Sequence, residues 1–243
     1  MSKALVIIPT YNELENIPIV LERVIGLPIP IDVLFVDDNS PDGSAALIKQ
    51  YIKKFKSRVF LESKNKKEGL GKAYTHGFKW ALNRDYDCIF EMDADLSHDP
   101  LDLVKMYKEL ESSNCDVVVG SRYINGINVV NWPLSRIILS YLASIYSRVI
   151  TGLPVKDATS GFVGFKRKVL EKMNLKSILF NGYAFQIELK FKAFKNNFRI
   201  LEIPIIFKDR IHGESKMNGD IILEAIFGLI KLKIYSYFYN INK

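Results

Sequence analysis

Hydrophobic residues in the first half of the chain come in short unbroken runs, separated by polar turns and by stretches with helical spacing. Ala4–Ile8, Ile31–Val36, Arg58–Glu62, Asp87–Met92 and Asp116–Gly120 read as strands, and their continuous apolar character marks them as buried on both faces. Between them, helices run to about Ile25 and to about Phe55, then over Gly69–Leu82 and Asp99–Ser112. Ser40 or Asp42 is placed to cap the second helix. Asp99-Pro100 with Asp102 supplies an N-cap, a proline for the first helical position and an acidic first turn. Strands alternating with helices predict an α/β fold: a mostly parallel central sheet with helices on both faces.

The second half has a different pattern. Trp132–Thr151 is a long, mostly apolar helical stretch carrying Arg136, Ser140 and Arg148. A loop beginning at Asp157 leads into a short strand, Phe162–Phe165, and Gly182–Lys195 reads as a helix. Arg199–Phe207 is strand-like, but Pro204 inside it restricts it to an edge or a bulge. A charged loop, Asp209–Lys216, precedes a terminal helix. No repeat or low-complexity linker divides the chain, so residues 1–217 are expected to form one domain, with 218–243 as a helical extension.

In open α/β sheets ligands bind outside the carboxyl ends of the strands. The polar clusters fall there: Tyr11 and Glu13, Asp37 and Asp38, Asp93 and Asp95, and Arg122. The sharpest of them ends the run Ile89-Phe90-Glu91-Met92. Side chains alternate along a strand, so Asp93 and Asp95 would share a side. Two such carboxylates repel unless a cation sits between them, and Mg²⁺ or Mn²⁺ held by one or two carboxylates plus substrate phosphates is the usual resolution. The competing reading is a solvated strand-to-helix turn. There is no Gly-x-Gly-x-x-Gly after the first strand and no Walker loop, which argues against a dinucleotide Rossmann enzyme and a P-loop NTPase. Gly69-Leu70-Gly71 is either a phosphate cradle or a flexible helix start.

Composition narrows the partners. Over 243 residues, 48% hydrophobic and 25% charged content suits a folded globular chain. A formal charge of +7 favours an anionic partner: nucleotide, phospholipid surface or nucleic acid. No recognition motif or basic–aromatic platform supports the last. Cys88 and Cys115 border apolar runs without metal-ligand spacing, as expected of buried free thiols in a reducing cytosol. His76, His98 and His212 lie far apart, so no zinc site, no Ser-His-Asp set and no histidine beside the aspartates is expected. The N-terminus has no signal-peptide pattern. The nearest approach to a membrane span, Ile221–Tyr239, is interrupted by Glu224, Lys231 and Lys233. That segment suits a buried terminal helix, an interfacial one with lysines at the headgroups, or both.

One resemblance accounts for these motifs together. Pro9-Thr10-Tyr11-Asn12-Glu13, Val36-Asp37-Asp38-Asn39-Ser40-Pro41-Asp42-Gly43, Gly69-Leu70-Gly71 and Met92-Asp93-Ala94-Asp95-Leu96-Ser97-His98 occur in that order. Gly120-Ser121-Arg122-Tyr123, then Asp209-Arg210 with Gly213-Glu214-Ser215-Lys216, complete the set. The chain resembles the family 2 glycosyltransferases of the GT-A fold, and among them the polyprenol-phosphate (dolichol-phosphate) mannosyltransferases. The resemblance implies inverting transfer of mannose from GDP-mannose to a polyprenyl phosphate, dolichyl or undecaprenyl, with Mg²⁺ or Mn²⁺.

By the same resemblance Pro9, Tyr11, Glu13, Val36 and Asp38 hold the guanosine part of the donor. Asp93 and Ala94 line the sugar diphosphate, and Asp95 ligates the metal. Arg122, Arg210 and Lys216 close over the diphosphate or the acceptor phosphate. Asp93, Asp95 and Arg122 carry the catalysis, and Arg136 and Ser140 face the acceptor. Ser97 is a poor metal ligand, so water or the donor would complete the shell.

Family members differ at their C-termini, some with transmembrane helices and others as bare catalytic domains. This leaves room for a membrane-protein partner subunit. The acceptor's tail requires a meeting at a bilayer surface, which places the protein in the cytoplasm, peripherally on the membrane. Two rivals stand beside this reading: a transferase of another sugar, such as UDP-glucose to undecaprenyl phosphate, and a GT-A scaffold without catalysis.

Overall fold

Continuous Val, Ile, Leu and Phe runs form the strands, and the intervening segments fold as helices that cover them. The computed structural model describes residues 2–112, 114–182, 184–209 and 219–238. In chain order the elements are β1 (Ala4–Thr10), α1 (Asn16–Ile25), β2 (Ile31–Asp37), α2 (Ser44–Lys54), β3 (Val59–Ser63), α3 (Leu70–Leu82), β4 (Cys88–Glu91) and α4 (Asp102–Glu111). They continue with β5 (Val117–Ser121), β6 (Val129–Val130), α5 (Leu134–Thr151), β7 (Val163–Lys166), α6 (Arg167–Lys172), α7 (Ala184–Lys195), β8 (Ile200–Pro204), β9 (Phe207–Lys208) and α8 (Gly219–Phe238).

The main sheet has the order β3-β2-β1-β4-β7-β5-β8. Its strands run parallel except β7, which is antiparallel to both β4 and β5. β1 and β2 pair from Ala4↔Ile31 to Thr10↔Asp37, so their ends finish level at one rim. As Pro204 requires, β8 is the edge strand; the chain then leaves the sheet and Phe207–Lys208 pairs with Val129–Val130 in a separate two-stranded ribbon. That ribbon and the short helix α6 carry too few periodic residues to be read from sequence.

The two faces of the sheet bury different alternate residues. From β1, Leu5 and Ile7 enter the core under α3, α6 and α7, whereas Ala4, Val6 and Ile8 enter the core under α1 and α4. Leu229 and Leu232 bring α8 into the first of these cores, against α5 and α7. Gly228 permits that approach: a Cβ there would come within 2.5 Å of the Phe180 ring. Other residues of these helices point outward. Leu134, Leu142 and Val149 on α5, with Phe227 and Ile234 on α8, are each half exposed or more. Cys88 and Cys115 are buried free thiols, pushed up by burial to about 12 and about 11 respectively.

Candidate active site

The aspartate pair sits where β4 leaves the sheet. Asp95 is buried, whereas the Asp93 side chain keeps about a third of its surface exposed. Leu96 then adopts φ 64°, a left-handed backbone that strains a residue other than glycine. The turn brings the Ser97 N–H to Asp95 Oδ1 at 3.1 Å. Asp99 organises the turn before α4, its carboxylate accepting the Leu101 N–H at 3.0 Å; the helix itself starts later than expected, at Asp102, with Leu101 at its N-cap position.

Contrary to expectation, a histidine does stand beside the aspartates. The His98 ring is buried, stacked on Phe162 at 4.7 Å and edge-on to Phe207 at 5.3 Å. Its Nδ1 accepts the Asp93 N–H at 3.3 Å and lies 4.0 Å from Asp93 Oδ2. Burial lowers its pKa to about 4 against the opposing pull of Asp95, so the ring is neutral, with its proton on Nε2. Spacing along the chain hid this contact, because the tight turn at Leu96 folds His98 back under Asp93. It holds the loop's shape.

The ends of β1 and β2 divide the work between two adjacent aspartates. Asp37 is spent locally: Oδ1 accepts from Thr10 Oγ1 and Ser40 Oγ, and Oδ2 accepts the Ser40 N–H. Asp38 reaches the other way. Its Oδ2 accepts the Glu68 and Gly69 N–H groups, each at 3.2 Å, and its Oδ1 meets Lys64 Nζ at 2.8 Å. Neither Ser40 nor Asp42 is the N-cap of α2, which is Gly43; Asp42 accepts from both the N–H and the hydroxyl of Ser44, the first helical residue. Tyr11 carries Lys67 Nζ over its ring at 3.9 Å, and Glu13 accepts from Asn16 Nδ2 at 2.7 Å. Pro9 pairs with Val36 in the ladder. The Val36 side chain is fully buried in the core, at the end of β2 beside Asp37.

Gly71 settles the Gly69-Leu70-Gly71 motif in favour of packing. Its N–H donates to the Asn181 carbonyl at 2.9 Å, and a Cβ there would meet the Phe180 carbonyl and the Phe185 ring at 2.9 Å. Gly69 has φ 97° and gives its N–H to Asp38.

The β5 end carries Arg122, which is 7% exposed. Nε and Nη2 bond Asp157 Oδ2 and Oδ1, each at 2.7 Å, Nη2 also donates to Thr159 Oγ1 at 2.8 Å, and the Arg122 N–H reaches Asp157 Oδ2 at 2.9 Å. The fork expected to grip a phosphate is therefore held by Asp157. That guanidinium keeps the fully buried Asp157 carboxyl below its usual range despite the opposing cost of burial. Ser140 accepts from Tyr123 Oη at 2.8 Å. Arg136 lies over the Trp132 ring at 4.0 Å and pairs with Asp209 at 3.0 Å. Arg210 and Lys216 lie outside the described residues.

Sequence reasoning missed Asp157 and Thr159. Finding them required knowing that β7 runs backwards, which delivers the loop before it to the same rim as the ends of β4 and β5. Among the described residues no three acidic, histidine or cysteine side chains converge as a complete metal cage. A divalent ion that takes most of its ligands from phosphate and water needs only one or two carboxylates from the protein, and the residues at this rim fit that demand.

Residues 5–173 match the family described as glycosyl transferase family 2. The chain is 43% identical over 225 residues to polyprenol monophosphomannose synthase of Mycolicibacterium smegmatis, covering 93% of this chain and 84% of the relative. It is 40% identical over 229 residues to undecaprenyl-phosphate mannosyltransferase of Micrococcus luteus, covering 94% and 93%. In fold it is similar to glucosyl-3-phosphoglycerate synthase from Mycobacterium tuberculosis, crystallised with Mn²⁺, uridine diphosphate and glucosyl-3-phosphoglycerate. The TM-score is 0.66 at 16% identity, over 97% of this chain and 79% of that one. The same synthase with Mg²⁺ and uridine diphosphate aligns at a TM-score of 0.65. The mostly parallel α/β sheet is the GT-A architecture, and the chain belongs to glycosyl transferase family 2.

Proposed function

We propose that this protein transfers mannose, with inversion, from GDP-mannose to a polyprenyl phosphate at a membrane surface. The observation that carries the reading is the clustering of Asp38, Asp93, Asp95 and Arg122 on one rim. Two relatives named for joining mannose to a polyprenyl phosphate, each at least 40% identical over more than nine-tenths of the chain, support the acceptor and the sugar of this reading.

In this reading the labour divides along the rim. Asp38 and Tyr11, at the ends of β2 and β1, face the nucleoside end of the donor, where the Asp38 carboxylate accepts N–H bonds. Asp93, the more exposed of the pair, accepts from the donor's sugar hydroxyls. Asp95 holds a divalent cation, Mg²⁺ or Mn²⁺, which when bound neutralises charge on the leaving diphosphate. Arg122, fixed by Asp157, contributes positive charge where the acceptor phosphate approaches; Arg136 and Ser140 on α5 extend that side, and Arg210 and Lys216 are assigned to it from their sequence positions. The acceptor's phosphate is itself anionic near pH 7 and attacks without a strong general base, which agrees with a His98 that is buried away from the rim surface and, at about 4, only weakly basic. Alignment then supplies most of the rate.

Membrane contact belongs to the same reading. No helix among the described residues is long and apolar enough to cross a bilayer. Leu134, Ile138, Leu142, Ile145 and Val149 form one exposed stripe along α5, and the exposed face of α8 carries Phe227 and Ile234. Such a surface lies in the interface and meets the lipid acceptor there.

The test is an incubation of the protein and Mn²⁺ with polyprenyl phosphate and either GDP-mannose or UDP-glucose, followed by analysis for lipid-linked sugar. Lipid-linked mannose from GDP-mannose is expected. Product from UDP-glucose alone overturns the donor, and product from neither favours a non-catalytic scaffold.

A further inference from the structure

Below the rim lies a buried polar cluster that this mechanism does not use. Glu91, the last residue of β4, and Lys190 of α7 are fully buried, and Gln186, one turn before Lys190, is nearly so. An unpaired ion costs several kilocalories per mole to bury, so a lysine in such a place has compensating partners. The Lys190 ammonium donates to the carbonyls of Ser160 at 2.7 Å, Gln186 at 3.1 Å and Ala158 at 3.2 Å. All three of its donors are thereby spent.

Two of those carbonyls belong to the segment that grips Arg122. Asp157 and Thr159, which hold the guanidinium, alternate with Ala158 and Ser160, which Lys190 holds from beneath. The segment is fastened elsewhere too: Glu202 of β8 accepts the Lys156 and Asp157 N–H groups, and Ser160 Oγ donates to the Gly120 carbonyl. Those bonds tie it to β5 and β8, whereas Lys190 ties it to α7.

Glu91 shares this cluster but makes no bond to Lys190. Neither of its oxygens makes a hydrogen bond among the described residues, and the Gln186 amide lies beside it outside hydrogen-bond geometry. Burial pushes Glu91 up to about 8 and Lys190 down to about 8, and each one's charge opposes the other's shift.

We propose that Lys190 is a positioning residue for Arg122, fixing the 157–160 segment from below the rim. Only the consequence for turnover rests on the proposed function; the placement of Arg122 is testable without it.

Glu91 and Lys190 shift each other's titration, so the test holds position 91 neutral and uses Glu91→Gln, the pair E91Q/K190M, and E91Q/K190Q, whose amide keeps a donor group. The first readout is hydrogen exchange at the Arg122 Nε–H by NMR, with the thermal midpoint as the fold control. Glu91→Gln should retain the protection of the unmodified protein. E91Q/K190M should exchange about tenfold faster or more, as expected when hydrogen bonds from a charged donor are lost, with E91Q/K190Q between. Unchanged protection in a folded E91Q/K190M overturns the proposal; if that pair does not fold, unchanged protection in E91Q/K190Q does. In the transfer assay E91Q/K190M should lose about tenfold in kcat with the donor KM preserved. An unmodified protein that transfers no sugar sinks the functional reading, while the Nε–H result still decides the role of Lys190.

Discussion

The Arg122 guanidinium and the Asp157 carboxylate meet edge to edge, both nitrogen–oxygen distances being 2.7 Å, and this pair joins the end of β5 to the loop before β7. Removing one side leaves a buried charge unopposed. Asp157→Ala should therefore cost about 3–5 kcal/mol, measured by urea denaturation. A loss below about 1 kcal/mol, the level of an exposed pair, would show that water already reaches the site.

Acid should weaken the fold through His98. In the unfolded chain this ring titrates near 6.5, whereas in the folded protein it titrates at about 4. Above the unfolded value both states are neutral and the contribution is fully present. As pH falls from there towards 4, the unfolded state takes up a proton that the folded state refuses, and on the order of 3 kcal/mol is lost. In His98→Asn, whose amide oxygen can accept the Asp93 N–H, that loss is absent. Its stability deficit should shrink between pH 7 and pH 4.5 in denaturation experiments, and a constant deficit would contradict a neutral buried ring.

Gly71→Ala tests the packing role of the glycine motif. The added methyl meets the Phe180 carbonyl and the Asn181 backbone, which cannot rotate away. A destabilisation of about 1–3 kcal/mol is expected in thermal or chemical unfolding. A neutral outcome would show that α3 can shift at its start.

The exposed stripe on α5 should bind lipid. Leu142→Glu with Val149→Glu changes outward-facing positions, so fold stability should stay within about 0.5 kcal/mol. Co-sedimentation with anionic liposomes should fall clearly below that of the unmodified protein. Equal sedimentation would remove α5 from the membrane face.

Asp95→Ala should abolish sugar transfer while leaving the unfolding midpoint close to that of the unmodified protein. Normal turnover would show that Asp95 is not the metal's protein ligand.

Much of the fold was legible because the strands of a doubly covered sheet advertise themselves as unbroken apolar runs, and Pro204 marked β8 as an edge. The rim positions of Asp38, Asp93, Asp95 and Arg122 followed from topology once the parallel sheet was inferred. Their partners did not follow. Asp157 meets Arg122 across 35 residues and His98 meets Asp93 through a strained turn, and neither contact leaves a periodicity to read. Sequence also left two adjacent aspartates unresolved by geometry; the Thr10 and Ser40 bonds to Asp37 identify it as the loop's own organiser.

The reversed direction of β7 has a consequence for how such a chain tolerates insertion. Because β7 starts beside the ends of β4 and β5, the connection from α5 into it reaches the working rim, and added residues there would displace Asp157 and Thr159. The turn from β7 into α6, at Lys166 and Arg167, opens on the opposite rim beside Cys88. That junction has no loop of its own, and its N–H groups bond the Asp116 and Asp87 carbonyls while the Arg167 guanidinium reaches the Leu82 and Arg84 carbonyls, so neither end of β7 offers slack for a grafted module.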